Sequence, residues 1–198
     1  MADAAATTGM LHDLAPCWSC KGPVSARAPF CHACGAIQPP RALDHFSRLN
    51  LPVRFDLDPA EIEKQYFGLQ RYFHPDRFAA KSAKERALSL QHATNLNRAY
   101  ETLKQPLGRA EYLLELRGRK IDGEATIADP GLLMEAMEWR EELAEAADRA
   151  AVAAIIGRAG QVFDAKVAAI GEAFARDDLA AAAKLVTALR YFSKLIDE

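Results

Sequence analysis

The stretch LQRYFHPDRF, residues 69–78, decides how this 198-residue chain is organised. Pro75 cannot donate a backbone hydrogen bond, and it disfavours helical backbone at His74, so a helix is expected to end there. The apolar positions before it recur at helical spacing and form one stripe: Ile62, Tyr66, Leu69 and Phe73. The sequence therefore predicts an amphipathic helix that ends directly before the tripeptide His-Pro-Asp.

The residues on either side of this stretch predict a pair of helices. Asp58 is a suitable N-cap and Pro59 fits the first helical position. Lys64 and Arg71 are seven residues apart, so they share a second, basic face of that helix. A basic loop follows the tripeptide, and the next helix is expected to run to about Lys104.

Helical patterns continue through the rest of the chain after Arg41, where strand-like alternation is absent. Alanine, leucine and glutamate dominate the last third, which is typical of a compact helical bundle. The further helices are expected at residues 44–50, 109–116, 130–148, 149–175 and 178–196. The predicted fold class is all-α, with a three-helix bundle at the C-terminus.

The charge of the chain is unevenly distributed, although the total is only −2. Residues 41–120 hold 15 Lys and Arg against 10 Asp and Glu, whereas residues 121–198 hold 8 against 15. The first 40 residues are balanced. A basic middle and an acidic end indicate two regions that face different partners. Hydrophobic residues make up 50% of the chain, as in a soluble globular protein.

The N-terminal residues do not have the pattern of a known targeting signal. It has neither the basic and apolar regions of a secretory signal nor the arginines of a mitochondrial presequence. No apolar run approaches the ~20 residues that a membrane span needs. We therefore expect a reducing compartment, either a bacterial cytoplasm or, in a eukaryote, the mitochondrial matrix.

All four cysteines lie near the N-terminus as two Cys-x-x-Cys pairs, Cys17 with Cys20 and Cys31 with Cys34. Each pair can present two sulfurs to one ion, and two pairs complete the tetrahedral set that zinc favours. Four thiolates leave no open coordination position, so a structural zinc is expected rather than a catalytic one. Four reduced thiols or an iron–sulfur cluster remain alternatives. His32 is expected to be a surface residue.

Several stretches together resemble the HscB family, the J-type co-chaperones of iron–sulfur cluster biogenesis. They are HFSRLNLPVRFDLD, QRYFHPDRFA, NLNRAYETLKQPLGRAEYLLEL and LLMEAMEWREELAE. The similarity spans residues 44–196, and residues 44–104 resemble a J-domain. The cysteine-rich start resembles the N-terminal extension of animal mitochondrial members.

The resemblance predicts three parts in an L-shaped arrangement. Residues 1–40, called the tetracysteine segment below, are a small zinc-ribbon-like extension with its linker. Residues 41–117 are the J-domain, and residues 118–198 are the scaffold-binding bundle.

The resemblance also implies one partner for the basic region. In this family the His-Pro-Asp loop and the preceding basic face engage a DnaK/HscA-class chaperone and stimulate its ATPase. The residues of this chain that match the loop and the basic face are His74, Pro75, Asp76, Lys64, Arg71 and Arg77. The co-chaperone performs no chemistry itself, so we expect no enzymatic activity from this chain.

The helix that begins near Pro130 is expected to serve a second partner. At 100° per residue its core stripe is Leu132, Ala136, Trp139, Leu143 and Ala147. The opposite face carries two methionines and several glutamates, and in the HscB family such residues bind the IscU-type iron–sulfur scaffold. The residues carried over are Leu133, Met134, Met137, Glu138, Glu141 and Glu145, together with Tyr191 on the last helix.

Other functions fit the same motifs less well. A nucleic-acid-binding zinc ribbon would need a basic surface, whereas residues 1–40 are neutral. A dithiol redox enzyme would need a partly exposed pair of cysteines free of metal. A general J-domain protein with a different client would share the His-Pro-Asp motif and differ in the bundle.

Overall fold

The computed structural model describes residues 14–25, 28–119 and 130–197. Two short antiparallel strands come first, β1 at Leu14–Pro16 and β2 at Pro23–Ser25. The helices are α1 His45–Arg48, α2 Pro59–Phe73, α3 Ala83–Lys104, α4 Pro106–Leu116, α5 Pro130–Glu145, α6 Arg149–Ala175 and α7 Leu179–Asp197. A 3₁₀ turn at Pro75–Phe78 separates α2 from α3. The predicted all-α class with a ribbon-like N-terminus is confirmed.

Prolines and capping side chains set most of the helix boundaries. The start of α3 is a capping box, because Ser82 Oγ accepts from the Glu85 backbone N–H at 3.3 Å and Glu85 Oε2 accepts from Ser82 N at 3.1 Å. Asp148 caps α6 by accepting from Ala151 N at 2.8 Å. The helix predicted over 130–148 therefore ends early, at Glu145, since Asp148 belongs to the start of the next helix.

The chain forms two compact units. The first contains the described residues up to Pro52 together with Pro59–Glu101, and the second contains Val53–Asp58 with Thr102 onward. Each unit combines two separate stretches of the chain. The domain limits at residues 40 and 117 stay a prediction.

Aromatic side chains fill the helical core of the first unit. The rings of Tyr66 and Tyr100 stack with centroids 4.1 Å apart, and Tyr66 Oη donates to Asn97 Oδ1 at 2.9 Å. Burial raises the pKa of Tyr66, so the phenol stays protonated and can donate. Other buried side chains of the first unit are Phe46, Leu49, Ile62, Leu88, Leu96 and Ala99. The predicted stripe on α2 thus faces α3 across one core.

The second unit is organised around α4, α6 and α7, and α4 carries a buried arginine. Arg109 is 6% exposed and donates from Nη1 to the Leu103 carbonyl at 2.8 Å. Its guanidinium lies 5.1 Å from the centroid of the Phe55 ring. Burial lowers the pKa of Arg109, and an aromatic face with a carbonyl acceptor compensates for part of the lost hydration.

Helix α5 packs more loosely than its sequence pattern predicts. Ala136 is buried and the Trp139 ring meets Phe192 edge-on at 5.9 Å, as a core stripe requires. Leu143, however, is 47% exposed, because it lines an open groove of about 650 Å³ between α5, α6 and α7. Ala147 lies beyond the end of α5 and is exposed. The predicted core stripe is therefore wrong at these last two positions. Within the described residues, no helix is long and apolar enough to cross a membrane.

Candidate functional site

The His74-Pro75-Asp76 tripeptide lies at the junction between α2 and the 3₁₀ turn. His74 has φ −59° and ψ 127°, which takes the chain out of the α-helical region directly before Pro75. His74 Nδ1 accepts a hydrogen bond from the Asp76 backbone N–H at 3.4 Å. Phe78 is buried and fastens the far end of the turn to the core.

The side chains of His74 and Asp76 both face solvent. The His74 side chain is 49% exposed and that of Asp76 is 89% exposed, with Nδ1 of the first 3.5 Å from Oδ2 of the second. A carboxylate presented in this way on a short, anchored turn is available to an arginine of another protein.

The basic residues predicted beside the tripeptide are all exposed. Lys64 and Arg71 lie two turns apart on α2, and Arg77 Nη1 donates to the Arg71 carbonyl at 3.0 Å, which satisfies one acceptor at the end of α2. Sequence reasoning missed Phe67, which is 50% exposed and one turn from both Lys64 and Arg71. The face is therefore basic with an apolar centre.

A buried serine was also missed, and it holds the last turn of α2. Ser89 is fully buried on α3, and its Oγ donates to the Phe73 carbonyl at 2.8 Å. This carbonyl is one of the four that a helix end leaves without an intrahelical partner. No local pattern in the sequence predicts the bond, because the two residues are 16 positions apart.

The four predicted metal ligands converge at the N-terminus. One ligand atom from each of Cys17, Cys20, Cys31 and Cys34 lies within 4.8 Å of all the others. The Cys17–Cys34 and Cys20–Cys31 sulfurs are 3.8 Å and 3.7 Å apart. Zinc–sulfur bonds of about 2.3 Å in a tetrahedron separate the sulfurs by about 3.8 Å, so this donor set fits a tetrahedral ion. His32 is exposed and lies outside the cluster, as expected.

Each cysteine pair sits in a turn that reverses the chain beneath the sulfurs. The Lys21 amide donates to the Cys17 carbonyl at 3.0 Å, and the Gly35 amide donates to the Cys31 carbonyl at 2.8 Å. Both donors have left-handed backbone, with φ 66° at Lys21 and 72° at Gly35. Glycine adopts this conformation without strain, whereas lysine does so less readily.

Electrostatics within the cysteine cluster favour a bound cation. Burial would raise the pKa of the Cys17 thiol, but hydrogen bonds from backbone amides and from Gln38 lower that pKa to about 6. The Gly22 amide lowers the pKa of Cys20, but the neighbouring Cys34 sulfur and burial raise it to about 11. The first thiolate therefore forms readily and makes the next harder to form, unless a cation neutralises them.

A second surface lies on α5, where the predicted scaffold-binding residues are exposed. The exposed fractions are 43% for Leu133, 64% for Met134 and 67% for Met137. Glu138, Glu141 and Glu145 are exposed on the same helix. Tyr191 is half-buried on α7, in the same unit.

Comparison with known proteins gives concordant matches. Residues 128–198 match the family model described as the HSCB C-terminal oligomerisation domain. The co-chaperone protein HscB homolog of Vibrio atlanticus (strain LGP32) is 40% identical over 161 residues, which cover 79% of this chain and 94% of the relative. The crystal structure of human co-chaperone protein HscB has a TM-score of 0.86 at 36% identity, over 92% of this chain and 95% of its own. Chaperone HscB from Vibrio cholerae has a TM-score of 0.70 at 38% identity, over 77% and 93%.

These matches also bear on the tetracysteine segment. Residues 1–40 are about a fifth of the chain, so a match over 92% of it includes more than half of them. The human protein is therefore similar to this chain in part of that segment as well as in the helices. With this identity and coverage, the chain belongs to the HscB family of co-chaperones.

Proposed function

We propose that this protein is a J-type co-chaperone that stimulates the ATPase of a DnaK/HscA-class chaperone and delivers an IscU-type iron–sulfur scaffold to it. The observation that carries the proposal is the exposed Asp76 carboxylate on an anchored turn beside a basic helix face. In this role the chain contributes binding energy to the partner's hydrolysis-competent state and no catalytic group of its own.

The basic face of α2 supports the chaperone arm of the proposal. Lys64, Arg71 and Arg77 carry positive charge next to the tripeptide, and all three are exposed. Such a face attracts an acidic groove at a distance, and the carboxylate of Asp76 then pairs with a basic group at close range. Phe67 adds an apolar contact at the centre of the same face.

Adding the protein to a purified DnaK-class chaperone is expected to raise the rate of ATP hydrolysis several-fold in a single-turnover assay. An IscU-type scaffold is expected to raise it further, because both proteins favour the same chaperone state. The half-maximal concentration of the protein should increase with salt, since exposed cations are screened. An unchanged hydrolysis rate at every concentration would contradict the proposal.

The α5 surface supports the scaffold arm. Large apolar side chains that are about two-thirds exposed, such as Met134 and Met137, cost free energy in water unless a partner covers them. Methionine adapts to irregular partner surfaces, and the exposed glutamates on the same helix can pair with basic groups of a partner.

Replacing Met134 and Met137 together by alanine is expected to weaken scaffold binding by about tenfold or more, because exposed apolar anchors dominate such interfaces. The measurement is the dissociation constant by titration calorimetry. Stimulation of the chaperone without scaffold should be unaffected. The matched control is Ile156→Ala on α6, which removes a side chain that is equally exposed at 64%. If the control weakens binding as much as the double variant, the docking face is misassigned.

The tetracysteine segment is proposed to hold one structural zinc ion through Cys17, Cys20, Cys31 and Cys34. The four sulfurs fit the tetrahedral spacing, and no water position is left for catalysis. Bound zinc would neutralise the thiolates and cross-link the two cysteine turns.

A further inference from the structure

We propose that the tetracysteine segment positions the His74-Pro75-Asp76 tripeptide, and that Phe30 is the positioning residue through which it acts. The inference rests on the proposed role of the tripeptide in chaperone binding and assigns a task to the segment that precedes the J-domain. Every contact invoked lies within the first compact unit.

Phe73, the residue that precedes His74, connects the tripeptide to the tetracysteine segment. Phe73 ends α2, is 8% exposed, and stacks with two other rings. The Phe30 ring lies parallel to it within 8°, with centroids 5.8 Å apart, and the His92 ring lies parallel within 4° at 4.4 Å. Phe30 directly precedes the ligand Cys31, whereas His92 belongs to α3. The ring beside the tripeptide is thus restrained in part by the tetracysteine segment.

A hydrogen bond provides a second connection. His92 Nε2 is 2.8 Å from the Gln38 carbonyl, and burial lowers the pKa of His92, so the neutral ring donates. Gln38 is 6% exposed, and its Nε2 donates to the Ala36 carbonyl at 2.8 Å and contacts Cys17 Sγ at 3.4 Å. A continuous path of contacts therefore joins a metal-ligating sulfur to the stack on Phe73.

A third contact reaches the helix on the other side of the tripeptide. Lys84 Nζ, in the first turn of α3, lies 4.3 Å from the centroid of the Trp18 ring. Trp18 is itself fixed by donating from Nε1 to the Ile37 carbonyl at 2.6 Å. The tetracysteine segment therefore touches both the last turn of α2 and the start of α3.

Restraint at these two ends matters because the tripeptide has few contacts of its own. The His74 side chain is half-exposed and that of Asp76 is almost fully exposed. The start of the turn is held by Phe73 and by Ser89, which binds the Phe73 carbonyl, and its far end by the buried Phe78. If the end of α2 moves, a smaller fraction of molecules presents Asp76 in the arrangement that binds. Apparent affinity falls in proportion to that fraction, while the rate at saturation does not change.

The test compares Phe30→Leu with Phe30→Tyr in the full-length, zinc-loaded protein. Phe30→Leu is expected to raise the half-maximal concentration for chaperone stimulation by about two- to tenfold, without lowering the maximal rate. Phe30→Tyr keeps the stacked ring and should restore wild-type behaviour. The amide NMR signals of His74 and Asp76 should shift in the leucine variant alone. Scaffold affinity should not change.

Two further variants complete the test. Leu14→Ala alters an exposed side chain of β1 and should behave as wild type. His92→Phe retains the ring on Phe73 but removes the donor to Gln38, and it should raise the half-maximal concentration for stimulation. This variant does not alter a neighbour of a cysteine, so it tests the positioning role even if Phe30→Leu loses zinc. Wild-type values for both Phe30→Leu and His92→Phe, or equal losses in the leucine and tyrosine variants, would overturn the positioning role. Absence of stimulation by the wild-type protein would instead refute the proposed function.

Discussion

Asp76→Asn is expected to abolish stimulation of the chaperone ATPase. The side chain is 89% exposed, so the amide fits without strain and the fold is retained. The substitution removes the negative charge and replaces an acceptor oxygen by a donor, which an arginine cannot pair with. Close charge pairs across interfaces are strongly coupled, so we expect the stimulation of the ATPase rate to fall by about tenfold or more.

The measurement is the single-turnover ATPase rate as a function of co-chaperone concentration. Unlike Phe30→Leu, Asp76→Asn should not recover at saturation, because the contact itself is lost. Glu115→Gln, which neutralises an exposed carboxylate on α4, is the matched control and should stimulate normally. Scaffold affinity should be unchanged in both variants. Retained stimulation by Asp76→Asn would mean that the tripeptide does not make the decisive contact.

Cys17→Ser is expected to remove the metal and unfold the tetracysteine segment while the helices persist. Cys17 is fully buried, and its sulfur accepts hydrogen bonds from Ser19 N and Gln38 Nε2. A serine hydroxyl can accept these hydrogen bonds, but it does not replace a thiolate as a zinc ligand. Within the described part of the segment, one small buried cluster consists of Cys17, Val24, Cys31 and Ala36. A structural zinc contributes ~10–16 kcal/mol of apparent binding free energy, so such a core cannot replace it.

Metal analysis should find about one zinc per wild-type chain and nearly none in Cys17→Ser. Amide exchange should accelerate between residues 14 and 38, while far-UV circular dichroism reports the helices nearly intact. Ser19→Ala, in the same cysteine turn, leaves all four ligands and should keep the zinc. Iron with visible absorbance would instead favour the iron–sulfur alternative. Less than half an equivalent of either metal in the wild type would contradict the assigned site.

Much of the helical fold could be predicted because local signals set its boundaries. Pro59 and Pro75 bracket α2, and the observed Pro59–Phe73 agrees with the prediction. The cysteine cluster followed from spacing alone, and its four sulfurs do converge. The roles of the tripeptide and the α5 face came from a family resemblance, and they stay predictions until partners are tested.

What could not be predicted depends on contacts between distant residues. The Phe30–Phe73 stack and the Ser89 bond leave no periodic trace in the sequence, since periodicity reports only which face is apolar. Leu143 has the spacing of a core residue, but α5 does not close over it, and a groove remains. Helical spacing predicts a face, whereas the depth of burial depends on neighbours that the local pattern does not specify.

The contacts of the tetracysteine segment also predict an order of folding events during synthesis. All four cysteines have left the ribosome once residue 34 is free, so metal can cross-link the segment before any long helix exists. Its docking partner His92 is 54 residues beyond Gln38, and Phe73 and Lys84 also follow late. Closing so long a loop is slower than local folding. We therefore expect the segment to fold first, and the turn at Pro75–Phe78 to reach its final position only when α3 has been translated.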